Sequence, residues 1–430
     1  MNDQLNLEKK YDQALEFLYG LERFGILLGL DNIQNILNRI DNPQGKFDSI
    51  HVAGSNGKGS TASFITNMLT LAGYKTALYT SPHLNDFRER IRIGGELVSK
   101  ESLVEAFERI KEFYDPERTT FFEFTTAMAF DCIARAKPDV AIIEVGLGGR
   151  LDATNTINPL VSIITDISLE HEDYLGKGLA AVAGEKAGII KKNTPVITGA
   201  TRKIPFSVIS AKAKELQAPL KLFGKDFKGK RTGLSSFDYS SQSLSISNMN
   251  LGMPGAHQMK NASLAIATIE ELKNRGFNIS DEVIREAVLK TRFPGRFELL
   301  RRNPDVIIDG AHTPEGMRLL KSSIKRNYPN RKPLLLFGAL KDKNYGNLAG
   351  IIAPVAKMVM CVAPHSDRSV DSGQMSELFT ELGVSSCFAP SIEDGFAKLM
   401  EMAHEDDLIV AAGSLYMIGP IRKLCGHKDE

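Results

Sequence analysis

Residues Ile50–Ser60 read IHVAGSNGKGS, a short apolar strand that breaks into a glycine-rich loop and then opens a helix. The glycines at positions 54, 57 and 59 can adopt backbone angles that other residues resist, so consecutive N–H groups can turn inward around phosphate oxygens. Lys58 adds a positive charge to the same loop. The stretch therefore predicts a cradle for the phosphates of ATP or GTP.

The loop departs from the generic P-loop pattern in two places. That pattern asks for a glycine five positions before the Gly–Lys pair, where this chain has Val52. It also asks for Ser or Thr directly after the lysine, where Gly59 intervenes before Ser60. The alternative interpretation is a glycine turn between a strand and a helix that binds nothing.

The sequence on both sides of the loop predicts an α/β domain. Apolar residues at helical spacing extend over Ser60–Ala72, and Thr76–Tyr79 has the composition of a strand. The runs Asp139–Val145 and Leu160–Thr165 are apolar without alternation, which is typical of parallel strands covered on both faces. We therefore expect a P-loop-type ATPase domain with a mainly parallel sheet.

Two changes of pattern follow along the chain. Between residues 219 and 250, short polar-rich alternation predicts a small antiparallel element attached to the first domain, and helical spacing returns over Asn261–Asn274. The segment Thr291–Phe297 then contains Pro294-Gly295, which interrupts regular structure. We predict domains at 1–293 and 301–430, joined by a linker at 294–300 with its hinge at Pro294-Gly295.

The C-terminal part alternates strands with helices again. Such alternation predicts a second α/β domain, doubly wound and Rossmann-like, with a parallel sheet. Two domains of this kind leave a cleft between them, where ligands are commonly bound. The predicted strands of the second domain are Val306–Ile308, Pro333–Phe337, Met358–Val362 and Leu408–Ala412.

Composition limits the classes of partner and location. The 430 residues exceed one ordinary core, and 53 basic against 52 acidic residues argue against a nucleic acid or a membrane surface as a partner. The cysteines show no metal-binding spacing, and the N-terminus is polar and unlike a signal peptide. We therefore expect a cytoplasmic protein with reduced thiols at Cys132, Cys361, Cys387 and Cys425.

A metal site is predicted at the end of one apolar strand. Glu144 lies at its carboxyl end and is followed by the glycine-rich segment Gly146–Asp152. Open α/β sheets place ligand-binding groups at this edge, and a carboxylate beside a phosphate cradle suits Mg²⁺. The alternative is an acid that caps a glycine turn, but the neighbouring loop favours metal binding.

Three further candidates are ambiguous when each is considered by itself. His171 follows the strand at Leu160–Thr165, and it is either a metal ligand or an ordinary histidine in an acidic loop. Ser81 either offers a hydroxyl to the same ion or is a turn serine. Lys186, considered alone, would be a surface cation.

Seven segments, taken together and in order, resemble the folylpolyglutamate synthases and dihydrofolate synthases of the Mur ligase superfamily. The likeness extends from Leu28–Asp31 to Gly413–Tyr416, and Gly146–Asn155 is specific to this family. The chain departs from the family at Thr313, where members often have Asn, and at Ser55, where Thr is commoner. The segments are Gly54–Ser60, Thr80–His83, Phe122–Thr125, Glu144–Asn155, Glu185–Ile189, Pro294–Arg296 and Asp309–His312.

The resemblance implies an ATP site with two Mg²⁺ ions. Lys186 matches a lysine that can be carbamylated in this family, where it supports the second Mg²⁺. A monovalent cation is a further expectation of the resemblance. The implied ATP-binding residues are Asn56, Gly57, Lys58, Gly59, Ser60, Asn261, Arg296 and Asp309. The implied metal ligands are Ser60, Ser81, Glu144 and His171, and the implied catalytic residues are Lys58, Glu144, His171 and Lys186.

The resemblance also implies a site for a pterin-containing substrate and a site for glutamate. Phe122 would supply an aromatic face for stacking, and its alternative role is that of a core aromatic. Asp152 would be associated with the pterin, and its alternative role is that of a turn acid. The implied substrate-binding residues are Leu28, Gly29, Leu30, Asp31, Thr120, Phe121, Phe122, Glu123 and Asp152, with His312 and Ser414 on the glutamate side.

The reaction implied by the resemblance is the ATP-dependent ligation of L-glutamate to a pteroate or folate carboxylate through an acyl phosphate. We expect a monomeric, bifunctional dihydrofolate synthase and folylpolyglutamate synthase that uses 7,8-dihydropteroate and reduced folates. A folylpolyglutamate synthase alone is the nearer alternative, and an ATP-hydrolysing switch protein that forms no bond is the alternative of another class. A peptidoglycan-precursor ligase is set aside because only ~50 residues precede the loop, fewer than its additional domain needs.

Overall fold

The structure, a computed structural model, describes residues 2–21, 25 and 27–426 and divides the chain into two units. The first unit contains residues 1–230, 237–250 and 260–291. The second contains residues 231–236, 251–259 and 292–430, so two short segments of the N-terminal half group with the C-terminal half. This division does not test the predicted linker at 294–300, which stays a prediction.

An eight-stranded sheet forms the centre of the first unit. Its strands are arranged in the order β4-β3-β2-β5-β1-β6-β7-β8, and all neighbours from β2 to β8 are parallel, whereas β3 and β4 pair antiparallel at one edge. The predicted mainly parallel sheet is thus confirmed. The strands are β1 (Ser49–Ala53), β2 (Thr76–Tyr79), β3 (Ile91–Ile93), β4 (Glu96–Leu97), β5 (Val140–Glu144), β6 (Val161–Ile164), β7 (Val196–Thr198) and β8 (Leu220–Leu222).

The parallel arrangement follows from the composition of the central strands. Every residue of β1, β5 and β6 is buried, because these continuous apolar runs are covered by helices on both faces. The helices of this half are α1 (Asn2–Gly20), α2 (Asp31–Arg39), α3 (Lys58–Leu71), α4 (Lys100–Ile110), α5 (Phe121–Ala136), α6 (Glu172–Leu175), α7 (Leu179–Ala187), α8 (Lys203–Glu215), α9 (Ala256–Lys273) and α10 (Asp281–Lys290).

A separate three-stranded sheet follows β8, in the order β11-β10-β9. Its strands are β9 (Phe227–Arg231), β10 (Ser236–Ser241) and β11 (Ser245–Asn250), and their short connections make neighbours antiparallel. The predicted small element therefore begins later than expected, because Leu220–Leu222 pairs parallel with β7 instead. The predicted helix at Asn261–Asn274 begins earlier, at Ala256.

The second unit contains a six-stranded sheet in the order β12-β13-β17-β14-β15-β16. All its neighbours are parallel except the edge pair β12–β13. Its elements are β12 (Glu298–Arg301), β13 (Asp305–Ile308), α11 (Pro314–Asn327), β14 (Leu334–Phe337), α12 (Tyr345–Ile352), β15 (Met358–Cys361), α13 (Ser372–Glu381), β16 (Ser386–Phe388), α14 (Ile392–Met402), β17 (Leu408–Ala412) and α15 (Leu415–Leu424).

Two general expectations can be compared with the fold. Within residues 2–21, 25 and 27–426, none of the helices is both long and apolar enough to cross a membrane. All four cysteines are free thiols, and Cys132 and Cys361 are buried.

Candidate active site

The glycine-rich loop leaves β1 and enters α3 at Lys58, and two of its glycines cannot be replaced without a clash. Gly54 has a φ of +146°, and a Cβ atom there would lie 1.9 Å from Thr165 Oγ1. Gly57 has a φ of +88°, and its Cβ would lie 2.5 Å from Asn261 Oδ1. The loop is therefore pressed against the side chain of Asn261, one of the residues predicted to bind ATP.

The loop is held in shape by the segment that follows β6. Ser55 Oγ donates to the carbonyl oxygen of Ser168 at 3.1 Å and accepts from the Ser168 backbone N–H at 3.0 Å. Thr165 Oγ1 donates to the carbonyl oxygen of Asn56 at 2.7 Å. With its carbonyls fixed in this way, the loop leads into the N-terminus of α3, and the N-terminus of a helix favours an anion.

Two lysine ammonium groups converge on one carbonyl oxygen of the loop. Lys58 Nζ and Lys186 Nζ donate to the Gly54 oxygen at 2.9 and 3.0 Å. Lys186 also pairs with Glu170 Oε1 at 2.7 Å. Two lysine ammonium groups are therefore placed beside the loop, where they can interact with phosphate oxygens.

Lys186 is buried, with 2 % of its side chain exposed, so the surface position expected from the sequence alone is wrong. Burial lowers its pKa to about 8, with the charge of Lys58 acting in the same direction and that of Glu170 opposing it. A lysine in this state has a larger neutral fraction near neutral pH than an exposed lysine. Its amine can therefore act as a nucleophile towards a small electrophile.

The predicted metal ligands lie at the carboxyl ends of the strands beside the loop. Glu144 ends β5 and is 5 % exposed, and its Oε2 accepts from the Ser81 backbone N–H at 3.3 Å. Ser60 is buried in the first turn of α3, whereas His171 is exposed, with a φ of +47°, at the start of α6. Glu144 and Ser81 are joined by this contact, and carboxylate and hydroxyl oxygens are ligands that suit a hard divalent cation.

The segment Thr120–Glu123 forms the start of α5 and is capped from both sides. Thr120 Oγ1 accepts from the Glu123 N–H at 3.2 Å, and Glu123 Oε2 accepts from the Thr120 N–H at 2.9 Å. Asn32 adds two bonds, to the Arg118 carbonyl at 2.6 Å and to Glu123 Oε2 at 3.3 Å. Because Asn32 directly follows Asp31, it joins the two segments predicted to hold the pterin.

Aromatic rings lie on both sides of this helix start. The ring of Phe122 faces Gly146, where a Cβ would lie 2.3 Å from Phe122 Cζ. Phe121 stacks on Tyr19 at 6.3 Å between ring centroids, and the Arg90 guanidinium lies 5.1 Å from the Phe121 ring. Phe121 and Phe122 are each partly buried, so both rings have area left for a flat ligand.

Asp152 makes the hydrogen bonds expected of an acid that stabilises a turn, which was the alternative to a role in pterin binding. Its Oδ2 accepts from the Leu147 N–H at 2.8 Å, and its Oδ1 accepts from Thr154 Oγ1 at 2.5 Å. Burial raises the pKa of this carboxyl, against the hydrogen bonds that stabilise its charge. Of the other predicted pterin contacts, Leu28 is 37 % exposed and Leu30 directly precedes α2.

In the second unit, the predicted ATP and glutamate contacts lie at the carboxyl ends of β13 and β17. Asp309 accepts from the Phe297 and Ala311 backbone N–H groups at 2.9 and 2.8 Å. His312 Nδ1 lies 2.7 Å from the Gly310 oxygen, and Ser414 caps α15 by accepting from the Tyr416 N–H. These loops are joined because Gly413 N–H donates to the Ala311 oxygen at 3.1 Å.

Arg296 lies beside these loops, since a Cβ at position 310 would come within 2.8 Å of Arg296 Nη1. Its charge opposes the burial that raises the pKa of Asp309. Burial, reinforced by the Arg296 charge, lowers the pKa of His257 to about 4. Arg296, Asp309 and His312 are therefore brought together around Gly310 in the second unit.

Sequence reasoning missed Glu170, Asn32 and His257, which contact or border the predicted residues. Glu170 precedes His171 in a visibly acidic segment, but nothing in its spacing indicates that it would pair with Lys186. Asn32 follows the predicted segment Leu28–Asp31 by one position. For Glu170 and for Asn32, the only sequence signal of a role in the site was that each lies next to a residue or segment already predicted to belong to it.

Comparisons with known proteins support the resemblance. A family profile described as the Mur ligase middle domain matches residues 52–269, and one described as the Mur ligase, glutamate ligase domain, matches residues 295–415. A curated Bacillus subtilis protein named dihydrofolate synthase/folylpolyglutamate synthase is 32% identical over 96% of this chain and 98% of its own length. A Lacticaseibacillus casei protein named folylpolyglutamate synthase is 31% identical over 97% of this chain and 100% of its own.

Solved structures show the same relationship. Mycobacterium tuberculosis folylpolyglutamate synthase complexed with ADP superimposes with a TM-score of 0.91 at 28% identity, covering 99% of this chain and 100% of that one. Escherichia coli FolC in complex with DHPP and ADP gives 0.88 at 28% identity, covering 96% and 97%. A bifunctional folylpolyglutamate synthase/dihydrofolate synthase with Mn, AMPPNP and L-glutamate bound gives 0.85 at 28% identity, covering 96% and 98%.

Proposed function

The chain belongs to the dihydrofolate synthase/folylpolyglutamate synthase family of Mur ligases, and we infer from this premise that it is an ATP-dependent ligase that joins L-glutamate to pteroate and folate carboxylates. The reaction runs in two steps. The substrate carboxylate attacks the γ-phosphorus of ATP, which gives an acyl phosphate and ADP. The glutamate amine then attacks the acyl carbon, and phosphate leaves as the amide forms.

The observation that carries this proposal is the convergence of Lys58 and Lys186 on the Gly54 carbonyl, beside the open N-terminus of α3. Phosphoryl transfer depends on position and on charge neutralisation more than on a covalent nucleophile. We assign Lys58 and the N–H groups of Gly57–Ser60 to the ATP phosphates. Asn261, which touches Gly57, is assigned to the same nucleotide. Arg296 and Asp309 are proposed as ATP-binding residues on the ground of the family resemblance.

A divalent cation supplies charge neutralisation for the phosphates when bound, and Glu144, Ser81, Ser60 and His171 are the residues that would hold it. The pterin lies, in this proposal, between the start of α5 and the segment Leu28–Asp31. Thr120 and Glu123 would fix its polar edge, while Phe121 and Phe122 would cover its rings and exclude water. His312 and Ser414 are assigned to the incoming glutamate.

We also propose that Lys186 is carbamylated. Its buried amine, with a pKa of about 8, can attack CO₂ and release a proton to give a carbamate. The carbamate would be an anion beside Glu170, and a second Mg²⁺, which the carbamate would help to hold, would supply the positive charge that offsets their repulsion. A monovalent cation, a monomeric state and a cytoplasmic location remain expectations from the sequence.

A ligation assay with mass detection tests the function. ATP, Mg²⁺ and L-glutamate are supplied with 7,8-dihydropteroate in one reaction and a reduced folate monoglutamate in the other. We expect a mass gain of one glutamate residue on both substrates, abolished in Lys58→Met and retained in Lys46→Met, a surface lysine paired with Asp41. A gain on the folate alone would establish the single activity, and ADP without any amide would reject the ligase assignment.

Carbamylation is tested separately by ¹³C NMR with ¹³C-bicarbonate and Mg²⁺. We expect a carbamate resonance in the wild-type protein that is missing in Lys186→Arg and present in Lys191→Arg. Lys191 is the matched control because it is also partly buried and donates to a backbone carbonyl, that of Asn155, at 3.0 Å. Identical spectra for all three proteins would refute the modification.

A further inference from the structure

A cavity of about 580 Å³ lies at the edge of the first unit, outside the site described above. It is bounded by β8, by the three-stranded sheet and by α9. Its volume is within the ordinary range of small-molecule pockets. Its lining shares no residue with the glycine-rich loop, the metal ligands or the start of α5, so it is a separate feature of the same unit.

The floor of the cavity is formed by the carboxylate of Glu270. This residue is 5 % exposed, and it accepts hydrogen bonds from Ser241 Oγ and Ser243 Oγ at 2.5 Å each and from the Tyr239 hydroxyl. Burial and the neighbouring Glu270 charge raise the pKa of Tyr239, so its hydroxyl keeps its proton and donates. Three neutral donors leave one acceptor position of the four on the carboxylate.

No cationic side chain pairs with Glu270 among residues 2–21, 25 and 27–426. This is unusual for a buried carboxylate, because taking a charge out of water is costly unless an opposite charge accompanies it. The neighbouring Glu271, in contrast, pairs with Lys221 at 2.5 Å. The floor of the cavity would therefore be stabilised by an ammonium group supplied by a ligand.

The mouth of the cavity has the opposite charge. Lys225 and Lys228 line it, and both are exposed. Neither lysine forms an ion pair within the described chain. Asp226, which lies between them in the sequence, accepts a hydrogen bond from the Leu222 backbone N–H. Lys221 and Asp226 also line the cavity, but Lys221 is paired with Glu271. The cavity is therefore bipolar, with the buried Glu270 carboxylate in one part of its lining and, in another, two exposed lysines without an ion pair in the described chain and the exposed Asp226.

We propose that this cavity binds an acidic α-amino acid such as L-glutamate, with its ammonium group at Glu270 and its two carboxylates at Lys225 and Lys228. The ammonium group of the ligand would complement Glu270, and its two carboxylates would complement Lys225 and Lys228, while Lys221 stays paired with Glu271 and the exposed Asp226 stays bonded to the Leu222 backbone N–H. A dicarboxylate without the amine would leave Glu270 uncompensated, and a diamine would meet repulsion from the lysines. The site is additional to the catalytic glutamate site and does not depend on the proposed reaction.

Equilibrium dialysis of the full chain against radiolabelled L-glutamate tests the proposal by counting sites, and it needs no turnover. We expect Lys225→Gln/Lys228→Gln and Glu270→Gln each to bind one glutamate fewer per chain than the wild type. The control Lys214→Gln/Lys230→Gln removes the same charge from exposed lysines that do not line the cavity, and it should keep the wild-type number. An equal number of sites in every variant would overturn the proposal.

Competition at the site tests its bipolar character. We expect glutarate, which lacks the amine, and 1,5-diaminopentane, which lacks the carboxylates, each to compete about tenfold less well than L-glutamate. Equal competition by glutarate would show that Glu270 binds no ammonium and would refute the assignment. If Glu270→Gln does not fold, the exposed lysine pair decides the outcome, because its replacement disturbs no buried contact. A ligation assay on the same variants reports the catalytic reaction independently.

Discussion

The centre and the edge of the eight-stranded sheet each hold a largely buried carboxylate, but they stabilise it in different ways. At the centre, Glu170 pairs with Lys186 at 2.7 Å beside the glycine-rich loop. At the edge, Glu270 is held by three hydroxyl donors and no cation in the described chain. The difference teaches that an internal ion pair offsets part of the cost of burying a lysine and a carboxylate together. A carboxylate held only by neutral donors can still be stabilised by a cation from a ligand.

The largest expected effect comes from breaking the central ion pair. Lys186→Met leaves the largely buried Glu170 without its paired cation, so we expect the free energy of unfolding to fall by about 3–5 kcal/mol. We also expect ligation to slow by about 100-fold or more, since an electrostatic group beside the phosphates is lost. Urea unfolding and the ligation assay measure the two effects. Lys191→Met, which loses only a bond to a carbonyl, should retain most of both properties.

Glu170→Gln tests the ion pair at the centre of the sheet through the pH dependence of the free energy of unfolding. Between pH about 8 and 10.5, the unfolded chain holds a proton on Lys186 that the folded chain has released, so this lysine makes stability rise with pH across that window. Without the Glu170 charge, the pKa of Lys186 falls further. We expect a loss of about 1–3 kcal/mol at pH 7 that shrinks above pH 8 as the wild-type lysine becomes neutral. Urea unfolding at several pH values measures it, and a loss independent of pH would contradict this account.

Gly57→Ala tests whether the central loop needs its close contact with Asn261. The added Cβ would lie 2.5 Å from Asn261 Oδ1, so we expect the KM for ATP to rise about tenfold. Gly73→Ala is the matched control, because Gly73 also has a positive φ, +92°, but nothing lies within 4 Å of its Cβ. Both variants bear backbone strain of about 1–2 kcal/mol, and equal KM values for the two would refute the role of the contact.

Asn32→Ala examines a third buried carboxylate, Glu123, which is held by backbone and neutral side-chain donors at a helix start. Loss of one hydrogen bond of about 1 kcal/mol should raise the KM for the folate substrate about three- to tenfold and leave the KM for ATP unchanged. Gln34→Ala, an exposed position on the same helix, should change neither. A parallel rise in both KM values would indicate general damage to the fold.

Glu270→Gln should have the smallest effect on stability. The amide keeps the oxygen that accepts from the hydroxyls and removes a charge that has no internal partner, so we expect a change within about 1 kcal/mol of either sign. Thermal unfolding of Glu170→Gln and Glu270→Gln side by side measures the contrast directly. A loss for Glu270→Gln as large as that for Glu170→Gln would erase the distinction between the two regions.

Much of the fold was predictable because local patterns indicate it. The runs that became β1, β5 and β6 are apolar without alternation, and that pattern survives in any parallel sheet covered on both faces. The start of α9 was missed because the apolar residues in Ala256–Lys260 do not recur at helical spacing. The strand β8 was assigned to the wrong sheet because a run of three residues does not indicate which strand it pairs with. The order of strands could not be derived from such segments.

By itself the sequence determined the glycine-rich loop, the α/β class of both halves and the family, since each depends on residues that are neighbours in the chain. Only the tertiary structure decided that Lys186 is buried on the Gly54 carbonyl, 132 positions away, and that Glu170 faces it. It also decided that Asn32 joins two segments and that Glu270 lines a cavity with no cation paired to it in the described chain. The reason is physical: burial and charge pairing depend on distances in space, which helical and strand periodicities do not encode.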